Sequence, residues 1–143
     1  MIFMGAPYPI FTHPRGLLHV QSGINQVKSD LLILLLTNPG ERVFLPEFGT
    51  PLRKLIFEQN DSALEFQARN MIINSIEQWE PRITVSQVEV TSHFDSSGLN
   101  PDDDGSEQQH ILGIKILFFD PEDMKEVQEL KLEVPLADGT GVS

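Results

Sequence analysis

The stretch SALEFQARNMIINSIEQWEPRITVSQVEV, residues 62–90, decides the fold because it encodes a helix, a corner and a strand in succession. Its first part repeats apolar side chains every three or four residues, which predicts an amphipathic helix over residues 62–80. Ser62 and Glu65 have the spacing of a capping box. Pro81 ends the helix, and the alternation after it predicts a strand. The predicted buried face comprises Leu64, Ala68, Met71, Ile72, Ser75, Ile76 and Trp79.

Three segments after this helix are predicted strands because apolar and polar residues alternate in each. They span about residues 83–93, 110–120 and 127–134. A skip in the alternation near Ser86 indicates a β-bulge in the first strand. Three consecutive strands favour an antiparallel meander with one face against helices and the other in water. The segment Asp95–Gln109 has little to bury and is predicted to be a mobile loop.

The chain before residue 62 is predicted to contain two further helices and an arm. Residues 23–38 carry an apolar stripe at helical spacing, with Ser22 as the predicted N-cap. A short helix is predicted over residues 52–58. Three prolines favour an extended arm over residues 1–22, and residues 137–143 are predicted to be a flexible tail.

The segment between the first two helices, residues 41–46, is predicted to be short and extended, with Val43 and Leu45 on one side. Taken together, the patterns predict an α+β fold. A single domain over residues 23–136 would contain two main helices, a short helix and a three-stranded antiparallel meander.

Composition excludes several classes of protein. The 143 residues include no Cys, so disulfide frameworks, thiol catalysis and zinc fingers are excluded. The longest aliphatic run, Leu31–Leu36, is far shorter than the roughly 20 residues of a membrane-spanning helix. The net charge is −11, and residues 83–143 carry three Lys or Arg against thirteen Asp or Glu. This acidity disfavours nucleic-acid binding and fits either a basic partner or a solvated face.

No pattern predicts a catalytic or metal site. Two facing carboxylates would suffice for a glycoside hydrolase, but no spacing distinguishes any pair among Glu41, Glu47, Glu58, Asp61 and Glu80. The histidines lack metal-ligand spacing, and the acidic run Asp102–Glu107 lacks the EF-hand pattern. We therefore expect no enzyme activity, no cofactor and no metal.

Two short segments combine rigidity with charge. Around Pro81, Glu80 and Arg82 flank the corner at which the helix gives way to the strand. These two side chains either pair with each other or anchor a partner, since a rigidly held guanidinium binds carboxylates and carbonyls well. The second segment contributes Glu41, Arg42, Glu47 and Phe48, for which the alternatives are partner contact or internal packing.

The same segments carry a family resemblance. The chain resembles the small baseplate wedge protein of contractile phage tails, the gene product twenty-five-like or gene product W family, over about residues 20–135. A related component occurs in the type VI secretion baseplate. The matching runs are Leu35-Leu36-Thr37-Asn38-Pro39-Gly40-Glu41-Arg42, Pro46-Glu47-Phe48-Gly49, Leu52, Leu55-Ile56-Phe57-Glu58 and Glu80-Pro81-Arg82.

The resemblance implies a non-enzymatic wedge subunit in the virion tail baseplate, assembled in the host cytoplasm, with six copies per baseplate. It implies that Glu80, Pro81 and Arg82 contact a helical core bundle of larger wedge proteins. It also implies that the C-terminal sheet resembles a sheath domain, accepts strands from the tail sheath protein and relays baseplate rearrangement to it. The alternative from another class is a carboxylate-based peptidoglycan hydrolase of a tail.

Overall fold

The structure is a computed structural model that describes residues 4–10, 12, 14–16, 19–57, 62–95 and 109–136. The chain divides into two compact units, Met1–Thr50 and Pro51–Ser143. The first unit contains a two-stranded sheet and one α-helix. The second contains a 3₁₀ helix, one α-helix and a three-stranded sheet.

The N-terminal segment folds back on itself. Strand β1 (Met4–Gly5) pairs antiparallel with β2 (Gln21–Ser22), so Met4 stands opposite Ser22. Over the part that the structure describes, the predicted arm of residues 1–22 thus has its two ends paired with each other. Pairing of the two ends satisfies backbone groups that an extended arm would leave to water.

Helix α1 (Ile24–Leu36) begins one residue later than predicted, and Ser22 does not cap it. The N-cap is Gly23, whose φ of 69° requires a residue without a side chain, and it forms no side-chain cap bond. Ser22 is instead held in β2 by its pairing with β1. The helix carries the predicted apolar stripe, with Val27, Leu31, Leu34 and Leu35 buried.

A tight loop, residues 37–50, leaves the end of α1 and folds back so that its last residue contacts the final turn of that helix. The Thr50 backbone N–H donates to the Thr37 carbonyl at 2.9 Å, and its hydroxyl donates to the Leu34 carbonyl at 3.2 Å. Gly49, at φ 129°, lies so close to Thr37 that an added Cβ would come within 2.4 Å of that carbonyl oxygen. Gly49 is therefore required both by its dihedral and by its packing.

Residues 41–46 within this loop are bent, which corrects the prediction of an extended segment. The Gly40 N–H donates to the Pro46 carbonyl at 2.6 Å, and the Phe48 N–H donates to the Leu45 carbonyl at 3.1 Å. The first bond joins residues on opposite sides of the loop, and the second closes a local turn after it. An alternation of apolar residues does not encode such closure.

The second unit begins with a 3₁₀ helix, Leu52–Phe57, where the sequence predicts a short helix over residues 52–58. Helix α2 (Ser62–Trp79) follows, and then β3 (Thr84–Asp95), β4 (Gln109–Asp120) and β5 (Asp123–Leu136). The three strands form an antiparallel sheet in the order β3-β4-β5, which confirms the predicted α+β class and the meander. Helix α2 packs on β3.

The sheet has one apolar and one charged face, as the alternation predicts. Leu112, Ile114, Ile116 and Phe118 of β4 are buried, while Lys115 stays on the other face. The predicted bulge is present, because the register of β3 on β4 shifts at Ser86, between Val85 and Gln87. The buried side of α2 comprises Leu64, Ala68, Ile72, Ser75 and Ile76.

Several predictions fall outside the described residues: most of the loop Asp95–Gln109, the tail 137–143, and Glu58 at the end of the short helix. Within the described part of the chain, no helix combines the length and apolar character needed to span a bilayer.

We expect Gly49→Ala to destabilise the protein by about 4 kcal/mol, since it adds backbone strain to a steric clash with Thr37. Gly40→Ala is the matched control. It has a φ of 96° but no atom within 4 Å of an added Cβ, and should cost only about 1–2 kcal/mol. Urea unfolding of both variants measures the difference, and equal stabilities would contradict the packing role of Gly49.

Candidate functional site

The corner between α2 and β3 is fixed by an ion pair that spans Pro81. Both oxygens of the Glu80 carboxylate accept hydrogen bonds from the Arg82 guanidinium, one from Nε and one from Nη2. The Glu80 backbone N–H donates to the Ile76 carbonyl at 2.8 Å and so continues the helical pattern one residue past α2. The two charged side chains therefore brace the turn on either side of the proline.

The pair is asymmetric in its exposure. The Glu80 side chain retains 7% of its accessible surface and the Arg82 side chain 25%. Both carboxylate oxygens of Glu80 are thus occupied by the internal pair. This is the first of the two alternatives that the sequence leaves open. Arg82 is oriented by Glu80 and still presents part of its side chain at the surface. A bidentate carboxylate–guanidinium pair holds its geometry more strictly than a lysine would.

An open groove of about 550 Å³ lies directly beside the corner. Its floor is apolar and includes Ile73, Ile76 and Ile83, whereas Arg69 and Glu77 add charge. The bulge at the start of β3 forms part of its wall. β-Bulges commonly lie next to binding sites because they bend a strand and end its regular pairing. The groove suits a segment that presents apolar side chains and a few polar groups.

The second predicted group of residues lies in the loop 37–50. The Glu41 carboxylate accepts hydrogen bonds from the Asn38 N–H at 3.1 Å and from its side-chain amide at 2.8 Å. The Arg42 guanidinium carbon lies 4.1 Å from the centre of the half-buried Phe48 ring. Glu41, Arg42 and Phe48 thus brace the loop. Glu47 is exposed, and we find no hydrogen bond or ion pair of its carboxylate among the described residues.

The most exposed apolar residues of this loop are not among the site residues predicted from the sequence. Val43 is 89% exposed and Phe44 95%, while Leu45 is about half exposed. The available signal was the run of three apolar residues between Arg42 and Pro46. A half-buried strand would alternate, so an unbroken run in a proline-bounded loop indicates residues that the fold does not bury.

The two edges of the three-stranded sheet differ. On the β3 edge, the Ser92 N–H donates to the Glu65 carboxylate of α2 at 3.3 Å, so this outward amide already has an acceptor. The bulge at Ser86 further interrupts the edge. This contact also shows Glu65 bonding to the sheet, whereas the predicted capping box has it reach back to the start of α2. The β3 edge is therefore partly covered.

The β5 edge pairs with β4 in unbroken register from Gln128 to Leu136, and a register shift between Phe118 and Asp120 interrupts the pairing nearer the start of β5. Pro135, which has no N–H, stands opposite Ile111. A proline fits this position because the backbone N–H of a residue there would point away from β4, towards the free edge. By the two-residue period of antiparallel pairing, Glu129, Lys131 and Glu133 also direct their N–H groups to the free edge. This parity agrees with the outward Ser92 amide on β3, because Ser92 and Val134 both stand opposite Leu112.

Charged residues cover the outer face of the sheet. Lys115 of β4 lies 3.6 Å from Glu89 and 3.7 Å from Glu129, and Lys131 lies 2.9 Å from Glu129. The hydrogen bond from Lys131 is the largest cause that lowers the pKa of Glu129, and Lys115 adds to it. The Glu129 carboxylate therefore forms ion pairs with both lysines, which stand directly opposite each other in the sheet.

Among the described residues, no group of three or more His, Asp or Glu is arranged to hold a metal ion. Two of the carboxylates considered for glycoside hydrolysis, Glu41 and Glu80, already accept internal hydrogen bonds. Glu58 and Asp61 lie outside the described residues.

Comparison with known proteins assigns the family. The family model of the baseplate wedge protein gp25 matches residues 21–115. The chain belongs to this family. It is 31% identical over 112 residues to the baseplate wedge protein gp25 of Enterobacteria phage T4, covering 78% of this chain and 75% of that protein. It is 34% identical over 62 residues to the baseplate protein W of Escherichia phage P2, covering 43% and 54% of the two chains.

Two solved structures share the fold of this wedge protein. A candidate tail lysozyme of Geobacter sulfurreducens superposes with a TM-score of 0.63 at 21% identity, covering 85% of this chain and 98% of that chain. A chain of the anti-feeding prophage baseplate gives a TM-score of 0.59 at 18% identity, with 98% and 90% coverage. At these identities the likeness concerns the fold alone. Family membership makes the protein a structural component of a contractile-tail baseplate.

We expect Glu80→Gln to destabilise the wedge protein by about 2 kcal/mol, because it leaves the Arg82 guanidinium without its buried counter-charge. Glu77→Gln is the matched control, since Glu77 is an exposed glutamate one turn earlier beside the same groove. It should change stability by less than about 0.5 kcal/mol. Equal urea midpoints for the two variants would contradict a bracing role for the pair.

Proposed function

We propose that this protein is a wedge subunit that binds the helical wedge core through its corner at residues 80–82 and anchors the first sheath subunits through its sheet. The observation that carries the proposal is the Arg82 guanidinium, which is partly exposed and held by the buried Glu80 carboxylate, while Glu80 and Pro81 of the same corner line an open groove. A cation fixed in advance loses little side-chain entropy on binding.

The corner offers two complementary kinds of contact. Arg82 supplies charge and directional hydrogen bonds, which suit carboxylates or the carbonyl ends of a partner's helices. The groove beside it supplies apolar surface for the side chains of that partner. Helical proteins expose both features at the ends of a bundle. The loop that contains Glu41, Arg42, Glu47 and Phe48 makes a secondary contact in the same assembly.

Sheath anchoring is proposed for the β5 edge. Strand addition needs a row of unpaired backbone N–H and C=O groups, and a regular edge provides it. Of the two edges, β3 has an amide occupied by Glu65, whereas β5 pairs with β4 in unbroken register from Gln128 to Leu136. The sheath protein would thus add an extended segment to β5, as expected if this sheet is equivalent to a sheath domain.

The wedge protein would then relay the state of the baseplate to the sheath. Binding to the core at one site and to the sheath at another couples the two, provided that each contact differs in free energy between baseplate states. Six copies per baseplate, assembled in the host cytoplasm and retained in the virion tail, complete the proposal.

Hydrolysis of peptidoglycan remains the alternative that the sequence raises. The bidentate pairing of Glu80 with Arg82 favours the structural function, because both oxygens of this buried carboxylate already accept hydrogen bonds within the corner. Turnover of purified peptidoglycan by the isolated protein would support the alternative.

We expect Arg82→Ala to prevent recovery of wedge proteins because it removes the charged anchor, while the monomer stays folded but is destabilised by the loss of the counter-charge to Glu80. The test is a pull-down of tagged protein from cells that co-express the neighbouring tail proteins, with mass spectrometry of what is retained. Circular dichroism and urea unfolding verify that the variant is folded.

Arg53→Ala is the control for this test, since it removes an exposed arginine from the 3₁₀ helix of the same unit. It should leave capture of the wedge proteins unchanged. Undiminished capture by folded Arg82→Ala would remove the corner from the interface. A wild-type protein that recovers no tail protein at all would refute the proposed function.

We expect Lys131→Pro to block sheath addition without unfolding the sheet, because it deletes an N–H that faces the free edge of β5. Lys131→Thr removes the same charge and the same bond to Glu129 but retains the amide, so it should still support sheath assembly. Electron microscopy of sheath polymerised on reconstituted baseplates distinguishes them. Equal sheath assembly by the two variants would exclude strand addition at this edge.

A further inference from the structure

The apolar tip, defined as Val43, Phe44 and Leu45, is the most exposed apolar surface within the loop 37–50. The Phe44 ring keeps 95% of its surface in water. A phenylalanine exposed to this degree gains almost none of the free energy of burying its ring, so a fold retains it when another surface covers it. Isolated exposed apolar residues are ordinary, but three consecutive ones at a loop tip form a patch.

The apolar tip is held in a fixed shape before anything binds it. Its base is closed by the bond between Gly40 and Pro46, while the clamp of Glu41 on Asn38 fixes the preceding turn. On the following side, Arg42 packs on the Phe48 ring. Loops that are ordered in advance bind without a large entropic penalty, and aromatic side chains so presented dominate the binding energy of interfaces.

We propose that the apolar tip inserts into a concave apolar pocket on another baseplate protein, with a Lys or Arg of that protein at the pocket rim. The identity of the partner as a baseplate protein rests on the proposed function; the surface itself does not. In this assignment Val43 and Phe44 make the contact, whereas Glu41, Arg42 and Phe48 position them.

The charge around the tip indicates the cationic rim. Glu41 is satisfied by Asn38 and Arg42 by the Phe48 ring, whereas the exposed Glu47 carboxylate has no hydrogen bond or ion pair among the described residues. A basic residue of the partner, placed opposite Glu47, would give this carboxylate an ion pair as well. The net charge of −11 on the whole chain adds a long-range preference for a basic surface.

The same charges disfavour two other occupants. A second copy of this chain would bring two convex tips and two Glu47 carboxylates together, since a symmetric dimer juxtaposes identical patches. A lipid bilayer with anionic headgroups would repel an acidic protein whose tip has Glu41 and Glu47 at its margins. A pocket on a protein meets the requirements of both shape and charge.

Thiol footprinting tests the contact directly, because the chain has no Cys and any introduced one is unique. Phe44→Cys and, separately, Phe66→Cys are incorporated into baseplates by co-expression with the neighbouring tail proteins. Phe66 is an equally large exposed ring on α2, at 61%. The probe is a maleimide reagent, and its rate of reaction is compared between free protein and assembled particles.

We expect assembly to slow the reaction at position 44 by about tenfold or more, as for a site excluded from solvent, and to slow it far less at position 66. A folded Phe44→Cys that fails to enter particles, while Phe66→Cys enters, also supports the contact. Unchanged reactivity at position 44, or equal slowing at both positions, overturns it. Wild-type protein that is absent from particles refutes the proposed function instead.

Two further variants test the chemistry of the pocket. In the pull-down from cells that co-express the neighbouring tail proteins, Phe44→Ser should reduce the recovery of the protein that holds the pocket about thirtyfold, as at an aromatic hot spot. Glu47→Lys should reduce this recovery as well, and Glu47→Gln should reduce its dependence on salt. Sedimentation of the free protein as a dimer that Phe44→Ser abolishes would assign the tip to a second copy. Phe44-dependent binding to phosphatidylglycerol vesicles would assign it to a membrane, and either result overturns the proposal.

Discussion

The ion pair between Glu80 and Arg82 is the constraint on which the second unit of the structure depends. Pro81 prevents α2 from continuing, but a proline alone does not determine the direction in which the chain leaves a helix. A bidentate pair across the proline fixes that direction, and the start of β3 follows from it. Since the strand then packs on the helix from which it came, the corner positions the apolar face of the sheet. The groove beside the corner results from the same geometry, because the bulge at Ser86 bends β3 where it leaves the turn.

Much of this unit is predictable from the sequence because its determinants are local. The spacing of Leu64, Ala68 and Ile72 predicts α2, and the alternation around Lys115 places that lysine on the outer face of β4. Even the bulge is visible as a skip in the pattern. The pairing of Glu80 with Arg82 is different, since a Glu-Pro-Arg corner is compatible both with an internal pair and with two groups that face a partner. Burial decides between them, and the packing around Glu80 depends on the whole unit.

The first unit is less predictable because its determinants are bonds between distant positions. Ser22 has the chemistry of an N-cap, but pairing of the chain ends places it in β2, and Gly23 takes the capping position. Closure of the loop 37–50 depends on the bond between Gly40 and Pro46 and on the close approach of Gly49 to Thr37. None of these contacts produces a periodic pattern. The exposure of Phe44 follows from that closure. Because the alternation of Val43 and Leu45 carries no information about the closure, it predicts an ordinary extended segment there.

The wedge protein therefore presents surfaces of different physical character, and strand addition alone cannot supply its specificity. A strand edge binds through backbone groups that every chain possesses, so the β5 edge would accept many extended segments with similar free energy. Discrimination requires side chains whose mispairing is costly, such as a guanidinium held in a fixed orientation or an aromatic ring that needs a pocket. The corner and the apolar tip are surfaces of that kind, and both are held by internal bonds before any partner arrives. Assembly would be ordered if the corner and the apolar tip bind first and so place the β5 edge next to the one segment that it should bind.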